Sequence, residues 1–170
     1  MKDSEIPSIP EQGEDQPNGP RSYKDFSRRD IRSLIFHLLY AMDAFDYQVS
    51  LEAVLENFNK GFDLDIPLDS EVFTIAQGVI NEREVLDQQI KPLLINWRFE
   101  RLGLSTKLIL RQALWELLNT ETPASIIINE AIELAKCFSE ADAYKFVNGI
   151  LDEVVKSLGR GDSEPQEKSE

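Results

Sequence analysis

Apolar residues recur at helical spacing along most of this chain, and this periodicity is the feature that most constrains its fold. Two such faces near the C-terminal end are formed by Ile128, Ile132 and Ala135, and by Val147, Ile150, Leu151 and Val154. Spacings of three and four residues place these side chains on one side of a helix. Because no stretch shows sustained strand alternation, the pattern predicts an all-α fold with about seven helices.

Capping and breaking residues bound the predicted helices. Ser27 and Asp30 form a capping-box pattern ahead of a first helix at about 28–45. The next predicted helices run from Leu51 to Phe58 and from Asp69 to Ile90, followed by a short helix that carries Leu93, Leu94 and Trp97. A further helix is expected to be capped by Ser105 or Thr106 and to end at Asn119. The last two predicted helices are one opened by Thr122-Pro123 and one that runs from Ser139-x-x-Asp142 to about Leu158. Inside that last helix, Gly149 is expected to permit close packing.

Composition divides the chain into a folded domain and two arms. Residues 1–21 contain four of the eight prolines and few apolar side chains, and predict a disordered acidic arm. Residues 159–170 predict a flexible tail. The folded domain is expected over 22–158, with enough apolar residues, 42% of the whole chain, for one core. No apolar run approaches the roughly 20 residues of a membrane helix, so a cytoplasmic protein is expected.

Catalytic and metal-binding patterns are sparse. The single histidine, His37, is interpreted as a surface or half-buried helix residue. The single cysteine, Cys137, excludes an internal disulfide and a multi-cysteine zinc site, and is expected to be buried. Carboxylates such as Glu133 and Asp152 lie near lysines on predicted helices, which favours solvated charge over acid–base catalysis. A binding protein without metal or cofactor is therefore predicted, and not an enzyme.

Charge is unevenly distributed along the chain. The formal net charge is −13, which by itself argues against nucleic-acid binding. However, residues 43–90 hold eleven acidic and two basic side chains, whereas residues 91–111 hold five basic side chains against Glu100. Basic islands in an acidic molecule are compatible with a small RNA footprint and a separate acidic face for a basic protein.

Three separated segments resemble the NusB family of transcription antitermination factors. The densest similarity is in Ile128-Asn129-Glu130-Ala131-Ile132-Glu133-Leu134-Ala135-Lys136 and Lys145-Phe146-Val147-Asn148-Gly149-Ile150-Leu151-Asp152. The second segment joins Trp97-Arg98-Phe99-Glu100-Arg101-Leu102 to the run from Lys107 to Leu117. The third is Arg28-Arg29-x-x-Arg32 with Leu38-Leu39-Tyr40. The resemblance implies a compact helical bundle in two lobes that binds the boxA element of nascent RNA together with NusE, a small-subunit ribosomal protein, and acts in the RNA polymerase antitermination complex.

The resemblance and the local charge pattern together indicate candidate site residues. The RNA-binding candidates are Arg28, Arg29, Arg32, Lys107, Arg111, Asp142, Lys145 and Phe146. Those for the basic protein partner are Tyr40, Glu82, Glu84 and Asp87. A phosphate backbone could be held by arginines four residues apart, and an exposed phenylalanine beside a lysine suits unpaired RNA.

Several alternatives stay open. Lys107 and Arg111 could form structural salt bridges instead of RNA contacts, and Phe146 could be a core residue. Residues 28–158 carry thirteen basic and twenty-one acidic side chains, a balance of 13 − 21 = −8, so a diverged protein–protein adaptor without RNA binding is the rival function. The oligomeric state, monomer or homodimer, is also left open.

Overall fold

The computed structural model describes residues 19–160 and divides the chain into two compact units, Met1–Gln77 and Gly78–Glu170. The predicted arm at 1–21 and tail at 159–170 fall mainly outside the described residues. In chain order the elements are β1 (Arg21–Ser22), a 3-10 helix (Tyr23–Asp25), α1 (Arg28–Ala44), α2 (Leu51–Phe62), β2 (Leu64–Asp65), α3 (Glu71–Ile90), 3-10 helices at Lys91–Leu93 and Phe99–Arg101, α4 (Leu104–Asn119), α5 (Ala124–Phe138) and α6 (Ala143–Leu158).

The all-α prediction is confirmed, with six α-helices in the described part of the chain against the seven expected. The missing one is the short helix expected around Leu93, Leu94 and Trp97. Two 3-10 helices flank an irregular stretch there, in which Asn96 adopts a left-handed conformation with φ 64°. Pro92 lies in the first of these 3-10 helices and lacks an N–H, so it cannot continue the hydrogen-bond ladder of α3.

In the first unit, α1 begins where the capping pattern predicts. The Ser27 hydroxyl accepts a hydrogen bond from the Asp30 N–H at 3.1 Å, and the Asp30 carboxylate accepts one from the Ser27 N–H at 3.0 Å. This reciprocal arrangement satisfies two N–H groups that the first helical turn leaves unpaired. The buried apolar face of α1 consists of Ile31, Ile35, Phe36, Leu38, Leu39 and Met42.

The second helix is longer than predicted. It passes through Gly61 and ends at Phe62, where Asp63 adopts the left-handed conformation with φ 53°. The chain then forms β2, which pairs with β1 in parallel over only two residues. The Asn59 side chain fastens this return to α2, because its amide exchanges two hydrogen bonds of 3.1 Å with the backbone of Ile66. The Asn59 side chain thus supplies the hydrogen-bond partners that the backbone of Ile66 does not find in a helix or sheet.

In the second unit, α4, α5 and α6 pack against one another. Their shared core contains Leu108, Ile109, Leu110, Ala113, Leu114, Leu117, Ile127, Ala131, Leu134, Ala135, Val147, Ile150, Leu151, Val154 and Val155. After α6, the Arg160 guanidinium donates to the carbonyl oxygen of Leu117, and to that of Thr122 at 2.9 Å. Arg160 therefore ties the end of α6 to the α4–α5 turn.

Three predicted helix caps in this unit are wrong. The N-cap of α5 is Pro123 and the helix begins at Ala124, so Thr122 does not cap it. The N-cap of α4 is Gly103 and not Ser105 or Thr106, and the Thr106 hydroxyl instead donates to Ser139 at 3.3 Å. Ser139 ends α5, while α6 starts after Asp142, which is left-handed with φ 67° and makes no side-chain cap bond. The chain needs the intervening residues to reverse direction, so Ser139 lies too far back to cap α6.

Two further expectations also fail. A Cβ at Gly149 would have no atom within 4 Å, so this glycine does not serve close packing. The close approach is at Gly78 in α3, where a Cβ would lie 2.5 Å from the Trp115 ring of α4. Cys137 is exposed near the end of α5 instead of buried, because the apolar stripe of α5 passes through Leu134 and Ala135. Within residues 19–160 no helix is long and apolar enough to cross a membrane.

Candidate nucleic-acid interface

The segment between α3 and α4 is anchored by Phe99, whose ring is buried. Two lysines lie over this ring, with Lys91 Nζ 5.4 Å and Lys107 Nζ 5.2 Å from its centroid. An ammonium within about 6 Å of an aromatic face is attracted by the ring quadrupole. The ring of Phe99 therefore attracts two cations, one directly after α3 and one in the first turn of α4.

Beside this anchor, Trp97 is exposed and faces a residue of α6. Its side chain is 59% exposed, and its ring centroid lies 6.0 Å from that of the half-buried Phe146, with the ring planes inclined by 55°. A cavity of about 240 Å³ adjoins the two rings. Its lining residues are Trp97, Arg101, Leu102, Gly103, Thr106, Glu140, Ala141, Asp142, Ala143 and Phe146.

Charges of both signs surround this cavity. Arg101 is exposed and lies within its lining. The exposed Lys145 forms an ion pair with Asp142 across 3.4 Å, one turn apart at the start of α6. Since both partners are well exposed, the pair is weak and Lys145 can exchange Asp142 for another anion. Of the predicted RNA-binding residues, Lys107, Arg111, Asp142, Lys145 and Phe146 lie in the second unit. The last three share one small surface region.

Tyr144 extends the aromatic and basic surface along α6. Lys136 Nζ lies 5.1 Å and Lys145 Nζ 5.9 Å from its ring centroid. The candidates predicted from the sequence do not include Lys136, Tyr144, Trp97 or Arg101. Only the resemblance of the Trp97 segment to its family counterpart could have directed attention to the last two residues.

Arg111 and Asp87, predicted respectively for RNA and for a protein partner, are paired with each other. Arg111 Nε lies 2.6 Å from Asp87 Oδ1, and Arg111 Nη2 lies 2.7 Å from Asp87 Oδ2. The side chains are only 11% and 14% exposed. Such a bidentate, largely buried pair holds α4 to the second half of α3, and it favours the salt-bridge alternative for Arg111.

The arginines of α1 differ in accessibility. Arg28 is exposed and forms an ion pair with Glu71, while Arg29 is also exposed. Arg32 is only 8% exposed, which argues against a direct phosphate contact by this residue. At the predicted basic face of α1, only Arg28 and its neighbour Arg29 are therefore exposed for contact with a phosphate.

The remaining partner candidates lie on accessible positions in their own units. Tyr40 in α1 is 47% exposed, and its ring centroid lies 6.2 Å from that of Phe36. Glu82 and Glu84 are exposed on α3. An aromatic residue with a hydroxyl on one unit and a pair of carboxylates on the other are chemically suited to a basic protein.

Other charged groups are explained by local pairing. Glu133 pairs with Lys136 at 3.7 Å, and Asp152 with Lys156 at 3.1 Å, the latter pair raising the pKa of Lys156. His37 is half-buried, and its Nδ1 lies 2.6 Å from the carbonyl oxygen of Ser33 one turn earlier. These contacts agree with solvated helix charge and a helix-surface histidine.

A helical fold that presents the exposed ring of Trp97 and the half-buried ring of Phe146 beside Arg101 and Lys145 defines a class of protein suited to binding unpaired nucleic acid. Comparison with known proteins gives the particular family. The NusB family model matches residues 29–156, and this chain belongs to the NusB family.

Relatives and solved structures agree with this assignment. The transcription antitermination protein NusB of Staphylococcus epidermidis is 38% identical over 128 residues, which are 75% of this chain and 98% of that protein. The structure of NusB from T. maritima has a TM-score of 0.68 and 31% identity, covering 77% of this chain and 92% of that one. A crystal structure of antitermination factors NusB and NusE in complex with dsRNA shares the fold, with a TM-score of 0.65 and 22% identity over 76% of this chain and 96% of that one.

Proposed function

We propose that this protein is a transcription antitermination factor that binds boxA-type RNA together with the NusE ribosomal protein. In this role it helps RNA polymerase to read through terminators, notably in ribosomal RNA operons. The observation that carries the proposal is the family match over residues 29–156, with curated relatives of the same function at 38% identity along nearly their whole length. Because bacterial transcription takes place in the cytoplasm, we expect the protein to act there. It would act by binding RNA and NusE and not by catalysis.

The surface of the second unit supports RNA binding. Lys107, Lys145 and Phe146 supply cations and an aromatic ring, the combination that holds unpaired RNA through phosphate attraction and base stacking. In the free protein Lys145 forms an ion pair with Asp142, and a phosphate of the RNA would replace Asp142 as the partner of Lys145. Arg28 and Arg29 on the first unit supply further exposed cations. Such local basic clusters can bind RNA although the molecule as a whole is acidic. Dissolved salt limits the range of each charge's electrostatic interaction to about 8 Å at physiological ionic strength, so distant carboxylates have little effect.

We propose Tyr40, Glu82 and Glu84 as contacts for NusE. A ribosomal protein is basic, so exposed carboxylates would steer its approach and fix its orientation. Tyr40 would supply buried apolar area and a hydroxyl in the complex.

The proposal is tested by the binding of a fluorescent boxA-like single-stranded RNA at low and moderate salt, with and without a purified NusE-type ribosomal protein. We expect the partner to tighten RNA binding, and the affinity to fall with salt, because each phosphate contact on a single strand contributes about −0.7 to the slope of log K against log salt. Lys145→Ala should weaken binding and reduce that slope. The matched control is Lys60→Ala, which removes another exposed lysine from an exposed ion pair, that with Glu56.

The opposite result has a defined meaning. A stable complex with the ribosomal protein but no binding of RNA at either salt concentration would contradict the proposal. It would identify the chain as a protein–protein adaptor that keeps the family fold.

A further inference from the structure

We propose that the cavity beside Trp97 and Phe146 is a pocket for a single unpaired RNA base, and that it prefers a base with an exocyclic amino group over uracil. This inference rests on the proposed function and adds to it a stacking residue, Trp97, and a residue that reads the base, Glu140.

The size of the cavity fits one base. At about 240 Å³ it is smaller than the roughly 300–1,000 Å³ typical of pockets for drug-sized ligands. The two rings, inclined by 55° at a centroid separation of 6.0 Å, form a corner and leave no gap for a base between them. A base would therefore stack on the exposed face of Trp97 and meet Phe146 by its edge. An exposed tryptophan is costly to leave in water, and stacking with a base removes much of its apolar surface from solvent.

The charged residues around the cavity favour an orientation in which the base lies inside the cavity and the phosphate lies outside it. Glu140 and Asp142 line the cavity together with Arg101, so the lining carries two carboxylates and one guanidinium, and its net negative charge disfavours a phosphate placed inside. Arg101 and Lys145 are exposed at the same surface and provide the positive charge that a phosphate backbone requires. A nucleotide oriented with its base inward and its phosphate outward would satisfy both sets of charges.

Glu140 determines the chemical preference. Its carboxylate lies over the backbone of Gly103, where a Cβ would come within 3.1 Å of Oε1. Gly103 thus leaves room for this carboxylate, and both residues line the cavity. An ionised carboxylate only accepts hydrogen bonds, so it favours the exocyclic N–H groups of cytosine, adenine or guanine. Both exocyclic groups of uracil are carbonyl oxygens, which a carboxylate repels.

The test uses the full chain with the NusE-type protein and a short fluorescein-labelled oligouridylate. Three further probes replace one central uridine by cytidine, adenosine or guanosine. Two variants are compared with matched controls. Trp97→Ala is compared with Ile95→Ala, which removes a 79% exposed apolar side chain of the same segment outside the cavity. Glu140→Gln is compared with Glu121→Gln, which makes the same charge change at an exposed site outside the cavity.

We expect the wild-type protein to bind at least one substituted RNA more tightly than oligouridylate. Trp97→Ala should weaken binding of that RNA by about 5- to 150-fold, the loss of one stacked base, while Ile95→Ala changes it little. Glu140→Gln should reduce the preference over uridine, because an amide can donate to a uracil oxygen, whereas Glu121→Gln should preserve the preference.

The remaining outcomes distinguish failure of the pocket proposal from failure of the proposed function. Equal affinity for all four RNAs, or a Trp97→Ala effect no larger than that of Ile95→Ala, would overturn the pocket and leave RNA binding intact. Failure to bind any of the four RNAs would overturn the pocket, and failure to bind the boxA-like RNA as well would also contradict the proposed function.

Discussion

Replacing Gly78 by alanine should destabilise the protein, although the same change in a helix is normally favourable. Gly78 lies in α3, and a Cβ there would come 2.5 Å from Cε2 and Cζ2 of Trp115 and 2.6 Å from its Nε1. Carbon atoms pack best at about 3.5–4.0 Å, so the indole ring would have to move by about 1 Å. The ring is half-buried on α4 and is not the free end of a flexible chain.

Two opposing contributions set the magnitude. Overpacking of this kind costs about 1–3 kcal/mol, whereas alanine in place of glycine inside a helix gains about 1 kcal/mol. The net loss in the free energy of unfolding is therefore about 1 kcal/mol. Gly149→Ala is the matched control, because Gly149 also lies inside a helix, α6, and a Cβ there meets nothing within 4 Å. This control should gain about 1 kcal/mol.

The assay is urea unfolding followed by far-ultraviolet circular dichroism, with the midpoint and slope compared between variants. A double-mutant cycle isolates the contact, since Trp115→Leu shortens the opposing side chain. In that background Gly78→Ala should become stabilising, as Gly149→Ala is. If Gly78→Ala stabilises the otherwise unchanged protein as much as Gly149→Ala does, the close packing of α3 on Trp115 is refuted.

Four further substitutions at three positions test the ion pair and the helix ends, each by the same unfolding assay. Arg111→Met should cost about 3 kcal/mol, because it leaves Asp87 buried without its partner, and a surface-sized loss below about 1 kcal/mol would contradict a buried pair. Asp63→Gly should be neutral or stabilising at a left-handed φ of 53°, while Asp63→Ala should cost about 1 kcal/mol; equal effects would exclude backbone strain. Ser27→Ala should cost about 1 kcal/mol through loss of the α1 capping box, and no loss would show that Asp30 alone suffices.

The helices themselves were largely predictable from local patterns. The capping box at Ser27 and Asp30 and the periodic apolar residues located α1 to its first residue, because both signals act within one turn of the chain. Prediction was weaker where the chain reverses direction. Ser139 and Asp142 have the spacing of a capping box, yet the turn between α5 and α6 separates them, and no local pattern distinguishes the two situations.

The candidate site residues likewise fall into two groups, those predicted from the local sequence and those brought together only by packing. The sequence predicted Lys145 and Phe146 at one surface, and the structure adds Trp97, which is far from them along the chain and 6.0 Å from Phe146 between ring centroids. It also shows that Arg111 is paired with Asp87. Both results depend on long-range packing, which one sequence does not encode in any local spacing.

The sequence by itself therefore determined the helical class of this protein, most helix positions, its uneven charge and its resemblance to the NusB family, since these follow from local periodicity, capping and residue order. The tertiary structure alone decided which charges are accessible and which side chains meet. It paired Arg111 with Asp87, buried Arg32, and brought Trp97 to Phe146 beside a cavity. The physical reason is that accessibility and contact between distant residues arise only when helices pack, and the free energy of packing depends on all the surfaces that meet.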